Sequence, residues 1–118
     1  MSNQLRKTFK IQENTLKVLK NEAWFMIVRT KDDMKPEMYE VVSNHKEECR
    51  LLYAYGRLDN MDKKKNVSEA QSVEHEAMFA ERCYAIDDST PLGVFIRDHR
   101  EVASTIYLLG ATVSYMYN

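Results

Sequence analysis

The sequence predicts a mainly α-helical fold, a bundle of about four helices forming one domain over residues 1–118. Three observations carry that expectation. Turn material is scarce, with 3 Gly and 2 Pro in 118 residues, whereas an all-β sandwich needs turn residues at short, regular intervals. Apolar residues recur at alternating spacings of three and four, the rhythm of helices packed lengthwise on one another. Two segments open on helix-start chemistry: Thr90 before Pro91, and Ser68 with Gln71 three residues on.

The C-terminal segment is predicted as one long helix over about 91–117. Asp87 and Asp88 precede it, on the side that the helix dipole favours. Leu92, Phe95, His99, Val102, Ile106, Leu109, Val113 and Met116 form its seam, and Ile96, Ala103, Tyr107 and Gly110 lie beside them. A second helix is predicted over about 68–86, with Ala70, Val73, Ala77, Ala80 and Tyr84 on one face and Phe79, Cys83 and Ile86 next to it.

Pro36 starts a third predicted helix that runs to about Asp59, with Met38, Val42, His45, Cys49 and Leu52 in the same rhythm. The N-terminal helix begins at an Asn14 cap and places Leu16, Leu19, Ala23 and Met26 on one face. An α+β alternative competes here. "WFMIVRT" has strand-like composition, and it could pair with "MYEVVS" in a small hairpin over about 24–43, with Asn44 capping a shorter helix.

Composition bounds the function. A net charge of -1 gives no bulk attraction to nucleic acid or acidic lipid. The charge is uneven, roughly +4 over residues 1–35 and roughly -5 over 36–90. Two cysteines are fewer than a small secreted scaffold uses, and the N-terminus lacks the apolar core of a signal peptide. No apolar run spans a bilayer, and no repeat stands out. These features lead to a cytoplasmic protein with free thiols and no membrane association.

Polar residues inside the stripes are the candidates for chemistry. His45, Cys49, Cys83 and His99 carry the soft and borderline ligands of a tetrahedral zinc site, which defines a metal-binding bundle as one alternative. Lys7, Lys10, Lys17 and Lys20 make a basic N-terminal segment, which defines a nucleic-acid-associated alternative, although the acidic residues nearby oppose phosphate. The carboxylates Glu69, Glu74, Glu76 and Glu81 read as a solvated face. No nucleophile elbow or phosphate loop is present, so neither an enzyme nor a cofactor is expected.

The leading expectation is an interaction protein, a regulator or inhibitor in the style of the small accessory proteins of phages and mobile elements. Seven tyrosines and seven methionines suit contact surfaces. The last helix has almost no polar face. Tyr107, Leu108, Ala111, Tyr115 and Tyr117 are therefore expected to meet a second chain in a homodimer or another protein partner, with Gly110 and Ser114 leaving room for a neighbouring helix.

Overall fold

The structure, a computed structural model, describes the backbone of residues 3–60 and 73–116 and the side chains of residues 13–60 and 76–114. It is mainly helical, with no strand among the described residues. The helices are α1 (Asn3–Arg29), α2 (Pro36–Asn44), α3 (Lys46–Asn60), α4 (Val73–Ala85), α5 (Pro91–Asp98) and α6 (Arg100–Met116), with a single 3-10 turn at Lys31–Asp33. None of the described helices is long and apolar enough to cross a membrane.

The hairpin alternative is thereby corrected. "WFMIVRT" lies in α1 because Leu19, Ala23 and Ile27 recur every four residues and bury one helical face, and that packing overrides strand-like composition. α1 also runs through Asn14, which is an interior helical residue and not a cap. Thr30 closes the helix, donating from Oγ1 to the carbonyls of Met26 and Ile27. The Ser68–Gln71 capping box lies outside the described residues.

Both long predicted helices are bent, and so the expected four helices become six among the described residues. The bend after α2 falls at His45 (φ -133°, ψ 49°), and the bend after α5 falls at His99 (φ -135°, ψ 55°). At His45 the ring takes over a helical acceptor: Nδ1 lies 2.9 Å from the Val41 carbonyl, while the backbone N–H turns to Val42. Each histidine carbonyl then starts the next helix, accepting from Cys49 N–H at 3.0 Å and from Ala103 N–H at 2.9 Å.

These matching bends expose a repeat that the residue pattern did not make evident. Asp-Asp-x-x-Pro occurs at 32–36 and 87–91, His-Lys/Arg-Glu at 45–47 and 99–101, and Tyr-x-x-Gly at 53–56 and 107–110. The second copy is one residue shorter in its middle helix, 8 residues in α5 against 9 in α2. The units α1–α2–α3 and α4–α5–α6 share further details. Lys46 Nζ lies 4.9 Å over the Trp24 ring, and Arg100 lies 4.9 Å over the Phe79 ring.

The two units meet through α3 and α6. His45 faces His99, with ring centroids 5.2 Å apart, and further along Ser114 Oγ donates to the Arg57 carbonyl at 2.8 Å. The separation in sequence stays nearly constant along the pair, so α3 and α6 run parallel. Between these ends the backbones close up at two glycines. A Cβ on Gly56 would lie 2.1 Å from the Tyr107 carbonyl oxygen, and one on Gly110 would lie 2.1 Å from that of Tyr53. The contacts are reciprocal, as an approximate two-fold requires, and α2 reaches α6 as α5 reaches α3. The core of Leu52, Tyr53, Phe95, Ala103, Ile106 and Tyr107 lies along this junction.

Candidate interaction surface

Over its described side chains, the last helix is covered largely from within its own chain. Tyr107 is 1% exposed and Ala111 is 0% exposed, so neither meets a second chain, which corrects their expected outward orientation. The Tyr107 hydroxyl donates to Asp59 Oδ2 at 2.9 Å, and its ring packs 5.3 Å from Phe79. Burial first, then the Asp59 carboxylate, raise its pKa. Leu108 is exposed, and the side chains of Tyr115 and Tyr117 lie outside the described set. The expected close approach at Gly110 and Ser114 does occur, but the neighbour is α3.

The four expected metal ligands do not assemble. His45 and His99 share a ring cluster with Phe95, whose centroid lies 4.8 Å from His45 and 5.3 Å from His99. Cys49 is fully buried in the core, where desolvation and the neighbouring Glu48 push its thiol up to about 12. Cys83 faces a depression of about 430 Å³ with Ile86, Ile96 and Arg100, and burial raises its thiol although Arg100 pulls the other way. No group of three or more His, Cys, Asp or Glu among the described residues could hold a metal ion.

The basic residues do not converge either. Lys17 is exposed, but Lys20 is drawn into an ion pair with Glu47. The side chains of Lys7 and Lys10 lie outside the described set. Polar order is concentrated between helices. Arg82 of α4 grips Asp59 of α3, with Nε to Oδ2 at 3.0 Å, and stacks 4.2 Å over the Tyr55 ring. Glu22 of α1 accepts from the Tyr53 hydroxyl and pairs with Arg57 at 3.2 Å. These contacts hold the helices together.

Apart from Tyr84 on α4, 95% exposed, and Leu108 on α6, the large apolar side chains in solvent among the described residues lie on the outer face of α1. Val18 is 65% exposed, Phe25 76% and Val28 44%, and Asn14 and Asn21 are exposed between them. Asn14, Val18, Asn21, Phe25 and Val28 alternate in steps of four and three, so they share one face of the helix. The opposite face carries Leu19, Ala23 and Ile27, all buried against the rest of the molecule. α1 therefore has two apolar seams. The spacing of the outer one was readable in the sequence, but the core seam beside it supplied a sufficient reason for the helix and drew attention from it.

No protein-family model, curated protein or solved structure matches the chain.

Proposed function

We propose that this chain is a small, non-enzymatic interaction module, a regulator or inhibitor that acts by presenting the outer face of α1 to a protein partner. The observation that carries this reading is Phe25. It stands 76% exposed in the middle of an apolar line, on a helix whose other face is anchored in the core. A large aromatic side chain on a rigid element is the form that contact anchors take, because it buries much area at little cost in side-chain freedom. The contact thus moves from α6, where the sequence reading placed it, to α1. Two unpaired thiols, one of them wholly buried, suit a reducing cytoplasm.

Site-specific photo-cross-linking tests the reading. A benzoylphenylalanine at position 25 should trap a discrete adduct in cells that express the chain. The same group in place of the exposed Glu40 on α2 should trap none. Equal, diffuse labelling from both positions would overturn the proposal.

A further inference from the structure

The reading of α1 as a contact surface leaves its occupant open, and the seam itself narrows the choice. We infer that the occupant is a second copy of this chain, its α1 lying parallel and in register along the first. The inference rests on the proposed contact face and goes beyond it by naming the partner and the geometry.

Heptad arithmetic carries the argument. With Val18 and Phe25 at one seam position, Asn14, Asn21 and Val28 occupy the other. In an in-register parallel pair every seam residue meets its own counterpart. Val18, Phe25 and Val28 then make apolar layers, and Asn14 and Asn21 make amide layers. An antiparallel pair sets the first position against the second, and every register that keeps both Val18 and Phe25 in the seam then faces an asparagine with at least one of them. An amide packed against an apolar side chain loses its water partners without replacement, which is the costly outcome. Identical pairing of seam asparagines also fixes register, since a slip by one heptad sets an asparagine outside the layer that satisfies it. Asn21 keeps hydrogen-bonding capacity for this. Its Oδ1 accepts from Arg50 Nη2 at 3.2 Å, which leaves a second lone pair and both amide hydrogens for the other copy.

The flanking positions agree with the same geometry. In a parallel pair each residue just before the seam meets the one five positions later on the other helix. Lys17 then meets Glu22 of the second copy, an opposite-charge contact added to the pairs that Glu22 makes with Tyr53 and Arg57 in its own chain. Trp24 of one copy and Arg29 of the other form the second flanking pair. Helix α1 needs no ordering on association, because its inner face is already held by α3.

Sedimentation of the purified full chain, from about 1 to about 200 µM, gives the first readout, and a dimer forming in the range of tens of micromolar is expected. Phe25→Glu and, separately, Val18→Glu should each weaken the dimer at least about tenfold while leaving the circular dichroism spectrum unchanged, since both side chains are exposed. Orientation is read by Val28→Cys in a Cys83→Ser background. Mild oxidation should link two such chains, because position 28 faces itself only in the parallel pair. In antiparallel registers that keep both Val18 and Phe25 in the seam the two positions lie at least about 15 Å apart, beyond disulfide reach. A chain that stays monomeric at about 200 µM, or a dimer indifferent to both glutamate variants, overturns the second copy as occupant. A dimer sensitive to them that does not cross-link at position 28 overturns the parallel arrangement. If the chain is monomeric yet position 25 traps a discrete partner in cells, the contact face stands and only its occupant is wrong.

Discussion

Two glycines set how closely α3 and α6 approach. Alanine is favoured over glycine in a helix by about 1 kcal/mol, so without tertiary contacts Gly56→Ala and Gly110→Ala would stabilise. Here each new methyl would meet a backbone carbonyl at 2.1 Å, and backbone cannot step aside as a flexible side chain can. Each substitution is expected to cost about 2–3 kcal/mol net, read as a lower urea midpoint, and the two losses should be alike because the positions are equivalent. A stabilised Gly56→Ala would show that the two helices stand further apart. Cys49 makes a different prediction. Its thiol holds its proton up to about 12 in the fold, against 9.0 in a free thiol, so the unfolded state loses its proton first. The stability it contributes is intact below pH 9 and is lost as pH rises, at about 1.4 kcal/mol per unit. Cys49→Ala, which copies the residue at the equivalent Ala103, should flatten that slope between about pH 9 and 10 in denaturant titrations.

At the scale of helices, the two copies start their middle segment differently. Thr90 caps α5, its Oγ1 accepting from Gly93 N–H at 3.1 Å. Lys35 holds the same place before α2, in a similar extended conformation (φ -62°, ψ 142° against φ -77°, ψ 157°), but offers no side-chain acceptor. The second copy therefore shows what the first lacks. Lys35→Thr is expected to raise stability by about 0.5–1 kcal/mol, and Thr90→Ala to lower it by about 1 kcal/mol, both measurable by thermal unfolding. Unchanged stability in Lys35→Thr would show that water already serves the first amides of α2. The bends at His45 and His99 have a shared consequence. Each redirects the chain, so that α2 and α5 cross to the opposite unit and the two units interlock.

Over the whole molecule, helices α3 and α6 form the central pair, and the other helices attach to it unequally. α1 spans α3 along a broad contact, whereas α4 touches α3 less and is fixed to it by the Arg82–Asp59 pair. Arg82 is half-buried, its pKa raised chiefly by the hydrogen bond to Asp59, so its removal would leave a carboxylate partly desolvated beside the Tyr107 hydroxyl. Hydrogen exchange should find α3 and α6 slowest, and Arg82→Ala should accelerate exchange in α4 before it alters the central pair. Uniform acceleration across all helices would mean that the molecule opens only as a unit.

The helical class and the core faces of α1, α3 and α6 were determined by local sequence, whereas on α4 the expected face with Ala77, Ala80 and Tyr84 lies in solvent and Phe79 beside it is the buried residue. Scarce glycine and proline, together with runs such as Val102, Ile106 and Val113 at helical spacing, have that meaning in any surroundings, and all three side chains are buried. Thr90-Pro91 was equally plain, because a cap acts within its own first turn. Other features needed the fold. Tyr107 and Ala111 look like a bare outer face on an isolated helix, and they become interior only because α3 lies beside them. The bends at His45 and His99 depend on single residues leaving helical geometry, which periodicity on either side does not register. The repeat is spread over few identities, the Asp-Asp pairs, His-x-Glu and Tyr-x-x-Gly, and each motif is too short to stand out until the structure places its two copies in reciprocal contact. The exposed seam of Val18, Phe25 and Val28 was present in the spacing throughout. Spacing gives the angle of a residue around its helix, but which angle faces water is decided by where the neighbouring helices lie, and that is a tertiary fact.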